Sequence, residues 1–420
     1  MIKIINCNNR NYLKKIHSFL SKRRSDKYID KGIVSKIIKD IKRNKKKALL
    51  KYEKRFSKNS KIKVNSSQIN KSIKSLDKKT KVAIDFAYQR ILKFHSKQKV
   101  KNILYKDKFG NRLEYKNIPI ESIGIYVPAN LPSTLLMNAI PAKLANVKRI
   151  VLANPKHDGK LNAAVLYAAK KLGIKEIYSM GGAQAIGSLA YIQKVNKIIG
   201  PGNIYVVRAK KEVLGDVGIE GMIAGPSEIT VVADKNTPTI EVETSLIGQA
   251  EHDLNAQSIL ITKSKKLIEN LKKNLPNKLN NLPRKKIVNQ NLKKNGLLIQ
   301  VHSNKQIIDC VNLIAPEHLE LNVSNYKIYI NKIINAGSIC IGKYSPMAVT
   351  DYNSGSNHTL PVMGSAKFSS GLNINDFYKK ISYINLSKKG IEVIGKKAIT
   401  LAEYEGLYGH ALSIKSRIKV

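Results

Sequence analysis

Four short stretches of this 420-residue sequence concentrate side chains able to bind metals and move protons. In LIGQAEHDLNAQ (246–257), Gln249 and His252 lie three apart, a spacing that puts both on one face of a predicted helix. TDYNSGSNHTLP (350–361) offers Asp351 and His358 in a loop of small residues, and EGLYGHA (405–411) offers Glu405 and His410. Together they supply amide, carboxylate and imidazole donors and no thiolate, a hard-to-borderline set suited to zinc or manganese. The fourth stretch, APEHLEL (315–321), sets Glu317 beside His318, two groups that exchange protons near neutral pH when a site is dry. The same segment also reads as a helix start, with Pro316 in the first turn and Glu317 complementing the dipole.

Phosphate-binding turns give a weaker signal. Gly337 to Lys343 satisfies the GxxxxGK spacing, but Tyr344 stands where a magnesium-binding Ser or Thr is needed, and Pro346 follows at once. GGAQAIG (181–187) and GPGN (200–203) follow apolar runs, where backbone amides at a helix start hold phosphates. A tight structural turn explains either one equally well. Cys7, Cys310 and Cys340 form no CxxC pair, and Cys340 sits in an apolar run that reads as buried strand, so no thiol stands out as a nucleophile.

The elements that must position these groups change in texture along the chain. Residues 1–120 read as helical and Lys-rich: Val34, Ile37, Ile38 and Ile41 repeat at the spacing of an amphipathic helix, and Val82 to Phe94 continues in that style. His95, at the end of that stretch, reads as a structural histidine. Beyond residue 121 short apolar runs alternate with helical stretches: SIGIYV, KRIVLAN, KEIYSM, NKIIG, EITVVAD, SILIT, GLLIQV and AGSICIG. Alternation of this kind predicts parallel βαβ units, an α/β fold with doubly wound sheets. A very basic helix-and-loop insert spans 263–295, and the last 45 or so residues read as helical.

Composition narrows the class. With 43% hydrophobic residues the chain buries a full core, and no run of about 18 apolar residues predicts a membrane span. The N-terminus offers no signal-peptide core, which predicts a reducing, cytoplasmic setting. Lys and Arg number 75 against 29 acids, a formal net charge of +46. That charge is mostly Lys, is spread along the whole chain and travels with abundant Asn and Ile, residues that share A/T-rich codons. Aromatics are 6% and none interrupts KRNKKK (42–47), so nucleic acid is not the expected partner. From the residues alone the reading is a metal-dependent α/β enzyme that admits a nucleotide.

Longer motifs add a resemblance. IAGPSEITVVAD, IGQAEHDLNAQSILIT, LIAPEHLEL, DYNSGSNHTLPVMG, SSGLNINDF and EYEGLYGHALSIKSR, in this order, resemble the histidinol dehydrogenase family, and the likeness covers nearly the whole chain. The resemblance implies a zinc-dependent enzyme oxidising L-histidinol through the aldehyde to L-histidine while reducing two NAD. It implies zinc held by Gln249, His252, Asp351 and His410, groups that also bind substrate. It makes His318 the base for the alcohol proton and a substrate contact, and Glu317 the activator of water. Ser227, His358 and Glu405 would position substrate; Tyr126, Gln184 and Asn203 would contact NAD. It further implies two Rossmann-like units, residues 126–226 inserted into a unit made of 26–125 and 227–372. Residues 1–25 would be a helical N-terminal segment. The tail, 373–420, would be helical and exchanged across a homodimer, so that Glu405 and His410 act in the partner's site. Three departures from the family pattern are a shortened GIYVPANLPST, a shorter stretch between Ala190 and Lys197, and Ile223 in place of a common Pro.

Overall fold

The computed structural model describes residues 2–25, 31–98, 100–157, 159–220, 225–280 and 282–418. Ile223, and the expected unit junction at 25/26, fall at least partly outside the described residues. Strands run in chain order as β1 Lys3–Asn6, β2 Ile103–Lys106, β3 Arg112–Pro119, β4 Ser122–Tyr126, β5 Arg149–Ala153, β6 Glu176–Tyr178 and β7 Lys197–Ile199. They continue as β8 Gly218–Ile219, β9 Glu228–Ala233, β10 Gln257–Thr262, β11 Leu297–Gln300, β12 His318–Asn322, β13 Ser338–Ile341 and β14 Tyr378–Asn385.

The apolar runs become the centres of two parallel sheets. β4, β9 and β10 are buried at every residue, as continuous β-branched runs must be when helices cover both faces. One sheet has the order β6-β5-β4-β7-β8 and the other β1-β11-β10-β9-β12-β13. In each, the order reverses beside an interior strand, between β4 and β7 or between β9 and β12. This is the doubly wound α/β class, and the reversal leaves a crevice at the strands' carboxyl ends. In the first sheet that crevice is held open by a close backbone approach. Gly200 follows β7 with φ +106°, and a Cβ there would lie 2.1 Å from the Tyr126 carbonyl oxygen, so only glycine fits.

The amphipathic helix predicted around Val34 is present within Lys31–Ser57, its buried Val34, Ile37, Ile38 and Ile41 packed in one cluster with Ile186 and Leu189. His95 is buried, with Nδ1 2.9 Å from Gln98 Oε1, a structural histidine as read. The basic insert forms two helices, Lys265–Leu279 and Lys285–Asn295. Among the described residues no helix is long and apolar enough to cross a membrane.

Three segments read as helical contain strands. β1 pairs in parallel with β11 and gives the six-stranded sheet its outer edge. β2, β3 and β14 form a separate antiparallel sheet in the order β14-β3-β2, with β14 and β3 paired over eight residues. Most of β2, β3 and β14 is solvent-exposed, so no core face imposes the clean alternation that would distinguish a strand from a Lys-rich helix. Beyond β14 the chain is helical again, at Lys388–Tyr404 and Tyr408–Lys415.

Candidate active site

A cleft of about 240 Å³ lies where the carboxyl ends of β4 and β7 face the amino ends of β9 and β12; Pro201 and Gly202 line it from one side, and Ser227, Gln249, His252, Glu317, His318, Asp351 and His358 from the other. The second group comes from turns. The helix Asn304–Ile314 ends on Ala315, whose left-handed conformation (φ 49°, ψ 63°) turns the chain, and its N–H closes on the Val311 carbonyl at 2.8 Å. Pro316 then blocks any continuation; Glu317 follows it and His318 opens β12. APEHLEL is therefore a helix end followed by a strand, not a helix start, and Pro316 acts as a stop. Likewise Gln249 occupies the last turn of the helix Thr239–Ala250, while His252 lies past its C-cap, Glu251. The pair reaches one cleft, but not from one helix face.

Burial sets the protonation states. His318 is 3% exposed, and burial, together with the neighbouring His358 and His252, pushes its pKa down to about 3. Its Nε2 is 3.8 Å from both Glu317 Oε1 and Asp351 Oδ1. At that separation, and with a neutral ring, these are contacts of a free base and not ion pairs. Burial also lowers His358, to about 4. His358 Nδ1 donates to the Asp351 carbonyl at 2.8 Å, which fixes the tautomer with Nε2 unprotonated. Glu317 is pushed well above the usual carboxylate range by burial, reinforced by the charges of Glu228 and Asp351 and opposed by the N–H of Glu228 and by Arg23. Its Oε2 accepts from the Glu228 N–H at 2.8 Å.

Three groups here fit a metal. Burial raises Asp351 to about 7, and no cation is among the influences on it. Burial lowers His252, with Arg284 lowering it further against Glu251, so its ring is available as a neutral donor. Gln249 is 1% exposed and its Nε2 has no partner. A carboxylate without a counter-cation and a neutral imidazole are what a divalent ion would satisfy; of the Gln249 amide, only the oxygen can serve as a ligand. Among the described residues no three His, Cys, Asp or Glu side chains of the chain converge on one metal position. One chain thus offers an amide and two titratable donors.

A family model for histidinol dehydrogenase matches residues 20–418. The chain belongs to the histidinol dehydrogenase family. A histidinol dehydrogenase of Pelagibacter ubique is 59% identical over 426 residues, covering 100% of both chains. Histidinol dehydrogenase 1 of Trichormus variabilis is 40% identical over 425 residues, covering 99% of this chain and 98% of that protein. The crystal structure of histidinol dehydrogenase from Elizabethkingia anophelis matches with a TM-score of 0.92 at 38% identity, over 99% of this chain and 98% of that one.

Of the residues expected to form the site, seven line this histidinol dehydrogenase family cleft and five do not. Glu405 lies in the exposed turn between the two C-terminal helices, and His410 on the second of them. Asn203 caps the helix Ile204–Val213, accepting from Tyr205 N at 3.1 Å and Val206 N at 3.2 Å. Tyr126 is buried at the end of β4, where its hydroxyl accepts from Gly182 N at 3.4 Å. Gln184 Nε2 donates to Glu53 Oε1 at 2.9 Å, and Gly181 N donates to the same oxygen at 2.9 Å. Glu53, unremarked in the sequence, therefore ties the GGAQAIG turn to the helix Lys31–Ser57. Glu228 also went unnoticed. Its signal was a charge heading the otherwise apolar-and-Thr run EITVVA (228–233), a position that a fully buried strand gives to a glutamate when a partner awaits it.

Proposed function

We propose that this chain oxidises L-histidinol through L-histidinal to L-histidine, reducing two NAD, as a zinc-dependent enzyme. One observation carries the reading: in a chain of this family, a neutral buried His318 and a buried Glu317 share a single cleft with Gln249, His252 and Asp351.

His318 enters as a free imidazole and takes the hydroxyl proton of the alcohol as hydride leaves its carbon, so one alcohol and one NAD give aldehyde, NADH and a proton. Glu317, as carboxylate, then takes a proton from water while the water oxygen bonds to the aldehyde carbon. Once His318 has released its first proton to solvent, loss of a second hydride from that hydrate to a second NAD, with His318 taking its hydroxyl proton, yields the acid and a second NADH. Ser227 and His358 line the cleft as positioning groups for the substrate. NAD, when bound, supplies the hydride acceptor, and the crevice between β4 and β7, with Tyr126, Gln184 and Asn203 about it, is its proposed seat. Zinc, held by Gln249, His252, Asp351 and a second copy's His410, would supply a Lewis acid that orients the substrate's nitrogen atoms.

The second copy follows from the arm formed by 373–420. Tyr404 is 91% exposed and Tyr408 and Leu412 are each 65% exposed, an apolar face that a homodimer would cover. Glu405 and His410 lie among these residues and would enter the partner's cleft. The same reading treats 126–226 as a unit inserted into 26–125 and 227–372, with residues 1–25 leading into it.

The test is NADH yield from limiting L-histidinol with zinc supplied and NAD in excess. Two NADH per histidinol, abolished by a chelator, is the expected result, and none from folded, zinc-loaded protein overturns the reading. Mixed subunits carrying Glu317→Gln and His410→Ala should regain activity that neither variant has alone; verified heterodimers without recovery refute the shared site.

A further inference from the structure

Arg23, near the end of the helix Tyr12–Ser25, is buried against partners far away in the sequence. Its Nε donates to the Asn255 carbonyl at 2.8 Å, Nη1 to Glu228 Oε1 at 2.5 Å and Gln257 Oε1 at 3.2 Å, and Nη2 to the Pro226 carbonyl at 2.6 Å. Pro226 and Glu228 bracket Ser227, while Asn255 belongs to the turn that follows His252 and Gln257 opens β10. The Ser227 carbonyl in turn accepts from Gln257 N at 2.9 Å. One guanidinium therefore locks the two backbone segments that enter the cleft at the amino ends of β9 and β10.

The consequence reaches Glu317. Its Oε2 accepts a hydrogen bond from the Glu228 N–H at 2.8 Å. That N–H is aimed by a residue whose side chain is pinned twice, by Arg23 and by Met363 N at 3.0 Å. We propose that Arg23 is a positioning residue for the water-activating step: by holding Glu228, it fixes the donor that orients Glu317. The inference rests on the role given to Glu317 above. A lysine has the charge but lacks the planar fork needed to serve four acceptors on two segments.

The test uses the full-length, zinc-loaded chain as Arg23→Met, Arg23→Lys and the double variant Arg23→Met/Glu228→Gln, which removes both charges and avoids an orphaned buried carboxylate. Melting temperature is recorded alongside two rates, single-turnover oxidation of L-histidinol and oxidation of L-histidinal supplied directly. Loss of an oriented general base predicts an aldehyde step slowed about 100-fold, with the alcohol step slowed about tenfold or less. NADH yield should then fall from two toward one, and Arg23→Lys should recover part of the aldehyde step. Equal loss of both steps in any folded variant, or a wild-type ratio in the double variant, overturns the proposal. If the wild-type chain yields no NADH at all, the functional reading itself fails and takes this inference with it. Two NADH from wild type and from the folded double variant sink this inference alone.

Discussion

Between β4 and β7 the five-stranded sheet reverses its strand order, and the carboxyl ends there open onto the cleft through Pro201 and Gly202. Between β9 and β12 the six-stranded sheet makes the same reversal, but its carboxyl end is shut by a polar clasp. Thr237 Oγ1 donates to the Asn322 carbonyl at 2.6 Å, Asp234 Oδ2 accepts from Ser324 N at 2.6 Å, and Asn236 Nδ2 donates to Ser324 Oγ at 3.0 Å. The catalytic candidates sit at the opposite, amino ends of the same strands: Ser227 before β9, Glu317 and His318 at the start of β12. One strand order thus offers a ligand crevice in one unit and merely a sealed edge in the other. Which end works is decided by the turns and not by the topology, since backbone shape at Gly200 and Ala315 determines what each edge presents.

The largest effect is expected at the amino edge. Glu317→Gln should slow histidinal oxidation by about 100-fold or more while sparing much of histidinol oxidation; stopped-flow NADH traces on each substrate measure the split. In the wild type, burial holds the Glu317 pKa above the usual carboxylate range, so its basic form is lost while the pH is still well above that of a free glutamate. The aldehyde step should therefore decline on acidification before the ordinary carboxylate range is reached, and a profile flat down to that range would contradict the role.

Gly200→Ala probes the open crevice. The added methyl must displace the Tyr126 carbonyl, and the left-handed backbone adds strain, about 1–3 kcal/mol in all. NAD affinity should fall about tenfold with bound zinc unchanged, as titration calorimetry and elemental analysis will report. Unaltered NAD binding would move the cofactor away from this edge.

The sealed crevice gives the smallest effect. Burial alone would raise the Asp234 pKa, but the N–H groups of Ser324 and Asn236 and the hydroxyls of Ser324 and Thr237 more than offset this and hold it below the usual range. A pKa lower in the folded than in the unfolded chain means that the clasp stabilises above about pH 4 and loses that contribution as pH falls through the folded value. Asp234→Ala should cost about 1–2 kcal/mol at neutral pH, less in acid, with both Michaelis constants unchanged. A shift in either constant would show that the second crevice also communicates with the cleft.

Much of this was legible in the residues. The runs EITVVAD, SILIT and SIGIYV are apolar on both faces, so burial dictated strands whatever surrounded them. The cleft residues were legible as types: Gln249, His252, Asp351, His358, Glu317 and His318 are placed together as donors and proton carriers. Their carriers were less so, because the spacing of Gln249 and His252 suits a helix that in fact ends between them. β2, β3 and β14 escaped notice because they face solvent, where hydrophobic period carries little information. Arg23 and Glu228 are 205 residues apart, and nothing local to either segment announces the other.

That exposed three-stranded sheet is more than an appendage. β3 runs on within two residues into β4, and Ile120 N donates to the carbonyl of fully buried Phe377 at 2.9 Å, just where β14 begins. The arm is therefore rooted in the core and ordered when the chain folds. A second chain docking there, as proposed above, would find a preformed surface, so the entropy of arranging those strands would already have been lost and would not be charged against association. Docking should then proceed as the collision of two rigid bodies, with a heat-capacity change set by the interface alone and no contribution from coupled folding.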